Sequence, residues 1–373
     1  MKRKMKQGIF MLYNLSLMLV GFGVMGYCFG ICASSIFDLK KDINFIFLGV
    51  FMLIVIYGTW TLTVCIHELG HVIFGLFSGY KFLLFRIGKV MIINTKDGCK
   101  MKKSSMRNGI GQCLMLPPEN KGYDYPVLLY HYGGCIANVI SVCISAIIYL
   151  LFKDNAIIQV LFFEFLYFGI YTVLTNGIPI MCISNDAYNG KLLCRNAKAR
   201  KQVLHQTKIL LANEEKKAVC KMPKEWFDWE MHIPENPFDF VSAILRFDYL
   251  LKCRCFEEML ELGEYLLENV QDMDKISVAS IKFEILYCKI MLNYDKEDIR
   301  KIYETDEKLW KILEETLSIN RIRYAYYSMI VPDKEKAHQE IMQFEKKIKK
   351  EQNLSEILSE KEQIHFIEKM ITV

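Results

Sequence analysis

Four long stretches without a formal charge, apart from one glutamate, constrain this chain more than any other feature of its sequence. They cover residues 7–37, 43–66, 125–152 and 155–185, and the exception is Glu164. Each stretch is longer than the roughly 20 apolar residues with which an α-helix crosses the hydrocarbon of a bilayer. The sequence therefore predicts four transmembrane helices, near residues 8–36, 45–79, 126–151 and 156–182.

The two halves of the chain differ sharply in charge density. Residues 1–186 hold 16 Lys or Arg and 9 Asp or Glu, whereas residues 187–373 hold 31 and 33. The first half is typical of a membrane domain and the second of a soluble domain. The net charge of +5 thus reports topology, and we expect a lipid bilayer as a partner and no nucleic acid.

The chain begins with the basic segment MKRKMK, which is also how a cleaved signal peptide begins. A signal peptide has an apolar region of roughly 7–15 residues. The apolar stretch here is far longer, so an uncleaved first helix is favoured.

Lysine and arginine flank the predicted helices unevenly. The amino terminus and the segment after residue 190 are basic, and the loop 81–124 holds nine Lys or Arg against three acidic residues. The loops 38–42 and 153–154 are short and balanced. Because basic loops remain on the cytoplasmic side, we expect a multi-pass protein of the cell membrane with both termini in the cytoplasm.

The segment HELGH, residues 67–71, interrupts the second apolar stretch with three ionisable side chains. It fits H-E-x-x-H, in which histidines one helical turn apart can bind one Zn²⁺ and the glutamate serves as general base. Zinc lowers the pKa of a bound water to about 7. His67 and His71 are therefore the predicted ligands, and Glu68 the predicted base.

A chance occurrence of H-E-x-x-H in an ordinary helix is the alternative explanation. Within an apolar span this alternative weakens, because one central charge costs about 2.5–3.5 kcal/mol even on insertion scales. Three ionisable groups on two turns need a compensating partner, and a metal ion is the simplest one.

The third zinc ligand has three candidates in the other spans, namely His131, Glu164 and Asp186. The predicted orientation places the HELGH segment near the cytoplasmic side, and Asp186 closes the fourth span on that side. Glu164 precedes Asp186 by about 33 Å along a helix, which is too far for a ligand at the same site. We therefore expect Glu164 to form an interhelical hydrogen bond or to carry a proton. Asp186 is favoured, and His131 remains the alternative.

The segment TNGIPIMCISNDAYNG, residues 175–190, is expected to break the fourth helix at Gly177 and Pro179. Proline removes a backbone donor from a helix. Irregular backbone at membrane depth occurs where it lines a polar cavity or is buried in protein. The alternative is an ordinary proline kink at a helix end.

At this point the sequence resembles the site-2 protease family of intramembrane zinc metalloproteases. HELGH matches the metal-binding helix of that family. YGGCIANVI, residues 132–140, is similar to its G-P-x-x-N element, and the segment that starts with NGIP and reaches Asp186 is similar to its N-x-x-P…D-G element. The residues that carry the last two similarities are Gly133, Gly134, Asn138, Asn176, Pro179 and Asp186.

The resemblance covers residues 45–190 and implies an intramembrane metalloprotease core of three transmembrane helices. It implies that His67, His71 and Asp186 bind zinc and that Glu68 is the base. The substrate would be a transmembrane segment of a single-pass membrane protein, or a peptide precursor such as a signal-peptide remnant, cut within or next to the membrane.

The same resemblance gives Asn138 and Asn176 a role in orienting the substrate or stabilising the oxyanion. Each of the two is alternatively an amide that packs helices together.

The segment 81–120, between the second and third helices, is expected to form a small β-hairpin with a turn at Asp97-Gly98, followed by an extended and re-entrant piece. In the family a sheet at this place can pair with an extended substrate, which is strand addition. Alternatively, its lysines hold anionic lipid headgroups.

The second half divides into a connector, residues 191–236, and a soluble all-α domain, residues 237–373. Apolar residues recur there at helical spacing. Helices of about 15 residues with short links are typical of tetratricopeptide-like arrays, which bind proteins, so a cytoplasmic protein partner is expected. The alternative is a helical bundle that only steadies the membrane domain.

The sequence therefore predicts a mostly α-helical protein. An N-terminal segment with the first helix, residues 1–44, precedes the protease core, and the soluble helices follow. The predicted function is that of an intramembrane zinc endopeptidase. A catalytically idle scaffold or a metal-handling membrane protein is the alternative, against which the intact Glu68 argues.

Overall fold

The computed structural model describes residues 2–38, 45–104, 110–181, 184–270, 273–305, 307–351 and 354–372. The chain is mostly helical and divides into two compact units, Met1–Leu204 and His205–Val373. Each unit is described by itself. The functional domain bounds expected from the sequence, at residues 44, 190 and 236, stay predictions.

Four long apolar helices dominate the first unit, as the sequence predicts. They are α1 (Lys2–Asp38), α2 (Phe45–Phe77), α3 (Leu128–Leu151) and α4 (Ala156–Gly177). Each contains a segment long and apolar enough to cross a membrane. This result is consistent with membrane association, whereas the side on which each terminus lies remains a prediction.

Helix α4 ends at Gly177, two residues before Pro179 and five before the predicted end of the span. The proline lacks a backbone donor and cannot continue the helix. A new helix, α5 (Asp186–Arg195), begins nine residues after the end of α4, and α6 (Ala197–Glu214) follows α5. The predicted helix break is confirmed.

A four-stranded antiparallel sheet lies between α2 and α3 in sequence. Its strands are β1 (Lys81–Ile87), β2 (Val90–Thr95), β3 (Gly98–Lys103) and β4 (Gly111–Leu116), in the order β3-β2-β1-β4. Thr95 pairs with Gly98 around the expected hairpin turn. The predicted hairpin is therefore part of a larger sheet, because the extended piece after residue 109 returns to pair with β1.

Helices α2 and α3 approach each other closely at two glycines. A Cβ atom on Gly70 would lie 2.4 Å from the carbonyl oxygen of Gly133, and one on Gly133 would lie 2.7 Å from that of Gly70. Small residues permit such backbone contact between membrane helices. Gly70 lies within HELGH, so the contact brings the backbone of α3 against the turn that carries the two histidines.

The second unit is a helical domain with an extensive apolar core. A fully buried arginine, Arg321, forms ion pairs with Glu284 at 2.6 Å and Glu360 at 2.7 Å, and its guanidinium lies over the ring of Tyr287. The expected all-α character is confirmed, and the tetratricopeptide-like arrangement stays a prediction. Its helices after α6 are α7 (Pro237–Lys252), α8 (Phe256–Asn269), α9 (Lys275–Met291), α10 (Lys296–Thr305), α11 (Glu307–Leu313), α12 (Leu317–Ala325), α13 (Lys334–Ile348) and α14 (Leu354–Thr372).

Candidate metal centre

Helix α2 carries both predicted histidine ligands on one buried face. His67 and His71 are each 5 % exposed, and their Nε2 atoms lie 3.2 Å apart. The spacing of four residues places them one turn apart. Helical geometry alone thus brings two imidazole nitrogens to the same point.

Asp186 reaches the same point from α5. Its Oδ2 lies 3.0 Å from Nε2 of His67 and 3.3 Å from Nε2 of His71. The ligand atoms of these three residues all lie within 4.8 Å of one another, the one cluster of this kind within the described ranges. The expected third ligand is therefore the residue that the structure places beside the histidines.

Asn185 holds Asp186 in this position, and sequence reasoning missed it. Its Oδ1 accepts from the backbone N–H groups of Tyr188 at 3.0 Å and Ile180 at 3.1 Å. Its Nδ2 donates to the carbonyls of Thr175 at 2.7 Å and Ile178 at 2.6 Å. One buried side chain therefore ties the end of α4 to the start of α5. The available signal was an asparagine at a helix N-cap position.

The second ring nitrogen of His71 is also engaged. Nδ1 lies 2.8 Å from the carbonyl oxygen of Tyr130, which can only accept a hydrogen bond. Nδ1 therefore carries the proton, and in the neutral ring Nε2 keeps a lone pair that faces Asp186. Such a contact fixes the tautomer of a metal-binding histidine.

Asn138 occupies the equivalent position at His67. The amide is 0 % exposed, its Nδ2 lies 3.1 Å from Nδ1 of His67, and its Oδ1 has no hydrogen-bond partner among the described residues. Rotating the amide by half a turn exchanges the two atoms, which are assigned from the hydrogen-bond network. Oδ1 then accepts the Nδ1 proton, and Nε2 of His67 is also free to bind a metal.

The three donor atoms fit the dimensions of a zinc site. Bonds of about 2.0–2.2 Å in tetrahedral geometry place neighbouring ligand atoms about 3.3 Å apart. The three separations between the His67, His71 and Asp186 atoms are 3.2, 3.0 and 3.3 Å. Two imidazoles and one carboxylate are also a donor set that catalytic zinc uses. The residues present therefore fit the ion that the sequence predicts.

The carboxyl group of Asp186 is suited to this donor set. Its Oδ2 faces both Nε2 atoms, and the ordinary pKa of an aspartate carboxyl group is about 3.9. A metal ligand must be deprotonated, so this carboxylate is already in the required form at neutral pH.

Glycines clear the space around the two histidines and Glu68. A Cβ on Gly134 would lie 2.6 Å from Nε2 of both His67 and His71. A Cβ on Gly111, the first residue of β4, would lie 2.6 Å from Oε1 of Glu68. A side chain at position 134 would collide with the two imidazoles, and one at position 111 would collide with the carboxyl group of Glu68.

The remaining predicted residues have different places. His131 lies outside the three-residue cluster, with its Cβ 3.1 Å from where a Cβ on Gly190 would be. Glu164 accepts a hydrogen bond from Thr59 on α2 at 2.9 Å, which confirms the expected interhelical bond. Asn176 donates to the carbonyl of Thr172, one turn earlier in α4, at 3.2 Å. Its expected role toward a substrate stays a prediction.

Comparison with known proteins does not identify the chain. No protein-family model, no curated protein and no solved structure matches the chain. The structure itself shows a buried cluster of two histidines and an aspartate that can hold a metal ion. The cluster lies in a unit with four long apolar helices.

Proposed function

We propose that this protein is an intramembrane zinc endopeptidase that hydrolyses a peptide bond within or next to a transmembrane segment. The observation that carries the proposal is the convergence of His67, His71 and Asp186, with each Nδ1 atom held by a separate partner. Such a set leaves one position of a tetrahedral ion open. The open position distinguishes catalytic zinc sites from structural ones.

Glu68 supplies the proton chemistry in this proposal. It follows His67 directly in α2 and lies against the start of β4, where Gly111 leaves it room. Its carboxylate accepts a proton from the attacking water and returns it to the leaving amine. Zinc, when bound, supplies the Lewis-acid chemistry that polarises the scissile carbonyl.

Asn138 acts through His67 in this account, because its amide contacts the imidazole and is shut off from solvent. We therefore propose it as a positioning residue, and its expected role toward a substrate stays a prediction. Asn176, near the end of α4, remains the proposed group for orienting the substrate or stabilising the oxyanion.

The sheet supports a place for an extended substrate. Strand β4 is an edge of the sheet, and it begins beside Glu68. A substrate segment that adds to this edge would run past the general base with its backbone extended. We therefore propose that the substrate is the unwound end of a transmembrane helix in a single-pass protein or a signal-peptide remnant.

The helical unit of the second half is a proposed binding domain for a cytoplasmic protein. Its all-α core is compatible with that role, and with a role as a supporting bundle. Co-purification of a partner that requires residues 237–373 would favour the first role.

Removal of the metal tests the proposed function. The purified full-length protein would be treated with a zinc chelator, and cleavage of a labelled signal-peptide remnant in detergent would be followed. We expect chelation to abolish cleavage and added Zn²⁺ to restore it. Unchanged cleavage by the zinc-free protein would rule out the proposal.

A further inference from the structure

A second buried polar contact lies in the membrane unit, away from the candidate metal centre. The hydroxyl oxygen of Thr59 on α2 lies 2.9 Å from Oε2 of Glu164 on α4 and 2.8 Å from the carbonyl oxygen of Val55 in its own helix, so its one proton is shared between these acceptors. Thr59 and Glu164 are 2 % and 1 % exposed. A carboxyl group within an apolar helix is costly and is rarely kept without a function. The contact therefore needs an explanation that packing alone does not provide.

Thr59 lies on α2, about two turns before the first metal ligand. Thr59, Thr63, His67 and His71 recur every four residues, and all four are buried. Thr59 and His67 are eight residues apart, which is about 12 Å along a helix. Because a helix turns as a rigid element, fixing Thr59 against α4 also fixes the direction in which His67 and His71 project.

Glu164 lies on the helix that leads to the third ligand. At the end of α4, the carbonyl of Thr175 accepts a hydrogen bond from Asn185 at 2.7 Å, and Asn185 precedes Asp186. The two histidines are thus attached to α2, and Asp186 is attached to the end of α4. Any rotation between α2 and α4 would separate the carboxylate from the imidazoles.

Apolar contacts between the same helices do not specify this rotation as strictly. The ring of Trp60 packs against those of Phe168 and Tyr171 at centroid distances of 5.3 and 5.8 Å. Aromatic pairs tolerate a range of ring angles and of centroid distances, about 4.5–7 Å, whereas a hydrogen bond weakens steeply when its angle changes. Single buried polar residues fix helix register elsewhere by this mechanism.

We propose that Thr59 and Glu164 are positioning residues that set the rotation of α2 against α4 and so fix the three metal ligands in one geometry. This proposal depends on the proposed function, because it takes His67, His71 and Asp186 to be the ligands of a zinc ion. It concerns the affinity and coordination of the metal, and it holds whether or not a given substrate is cleaved.

Metal binding by the full-length protein in detergent tests this role. Co²⁺ would replace zinc, because its visible absorption spectrum reports coordination geometry, and competition with a chromophoric chelator would give the affinity. Thr59→Val and Glu164→Leu remove the hydrogen bond. We expect each to weaken Co²⁺ binding about 10-fold or more, as loss of an outer-shell contact typically does, and to change the spectrum.

Two further variants separate positioning from general stability. Thr59→Ser keeps the hydroxyl and should restore affinity and spectrum. Thr172→Val is the matched control, because Thr172 is also buried but its hydroxyl donates within α4, to the carbonyl of Phe168 at 2.7 Å, and bonds to no other helix among the described residues. It should bind Co²⁺ like the wild type.

The outcomes distinguish this proposal from the proposed function. Wild-type affinity and spectrum in both Thr59→Val and Glu164→Leu would overturn the positioning role and leave the protease function standing. Weakened binding in both variants, with no cleavage by a metal-loaded wild type, would support the positioning role and count against the protease. A wild type that binds no metal would overturn both.

Discussion

The side-chain amide of Asn138 lies 3.1 Å from Nδ1 of His67, in the interior of the helix bundle. The contact links α3 to His67, the proposed metal ligand on α2, and leaves Nε2 of His67 facing Asp186. The geometry at His67 therefore depends on a residue that does not itself touch the proposed metal position.

Replacing Asn138 with leucine should weaken zinc binding 10- to 100-fold, the usual effect of losing an outer-shell partner. The leucine has a similar size but cannot accept the Nδ1 proton. Zinc affinity would be measured by chelator competition. Ser145→Ala, a buried change further along α3, is the control and should keep wild-type affinity. Equal affinities in the two variants would contradict the assigned role of Asn138.

A methyl group at position 134 should abolish metal binding. The Cβ of Gly134→Ala would lie 2.6 Å from Nε2 of His67 and His71, so at least one ring must move. Gly177→Ala is the matched control, because its nearest neighbour would lie at an ordinary 3.6 Å. Zinc content after purification would be compared for the two variants. A full complement of zinc in Gly134→Ala would show that the rings lie elsewhere.

Loss of the Asn185 side chain should release Asp186 from the histidines. Asn185→Ala removes a helix cap, which costs about 0.5–2 kcal/mol, and also the two hydrogen bonds that the amide donates to the carbonyls of Thr175 and Ile178. We expect zinc affinity to fall at least 10-fold, by analogy with other outer-shell losses. Asn155→Ala removes a cap of the same kind at the opposite end of α4 and should leave affinity unchanged. Similar zinc affinities in Asn185→Ala and Asn155→Ala would show that Asn185 does not hold Asp186 in place.

The pH dependence of the helical unit should report on Glu356. Burial, together with the charges of Glu351 and Glu360, raises the pKa of Glu356 to about 7. A raised carboxyl pKa stabilises the folded state at low pH, and that contribution is lost as the pH rises through about 7. Glu356→Gln cannot ionise, so its stability relative to the wild type should increase between pH 5 and pH 8.

The size of that difference follows from the linkage between protonation and folding. One pKa unit corresponds to about 1.4 kcal/mol, so we expect a relative gain of about 1–3 kcal/mol, measured by urea unfolding of the full-length protein. Glu257→Gln changes a carboxyl group that is exposed in α8 and serves as the control. A pH-independent difference between Glu356→Gln and the wild type would contradict the burial of this carboxyl group.

Periodicity and spacing predicted the parts of the molecule that depend on local rules. The four apolar stretches and HELGH are local patterns, since a helix follows from length and hydropathy and the two histidines meet because they are one turn apart. Asp186 required one further argument, from the expected orientation of the spans. All three residues of the cluster were therefore accessible from the sequence.

The residues that hold the ligands in place were not accessible in this way. His71 is held by the carbonyl oxygen of Tyr130, and a backbone carbonyl is present at every position, so no sequence signal marks it. The four bonds of Asn185 reach residues on both sides of the helix break, and a helix pattern does not predict which groups meet there. The sheet was underestimated because the pairing of β1 with β4 joins residues about 30 positions apart.

The central claim is that Glu68 is the general base of a zinc endopeptidase, and one comparison tests it most directly. Wild type and Glu68→Gln would be purified in the same way, their zinc content measured, and their cleavage of one labelled transmembrane substrate compared. We predict equal zinc content and a loss of at least about 100-fold in cleavage rate for the variant, in line with general-base contributions. Equal cleavage by the two zinc-loaded proteins would contradict the account.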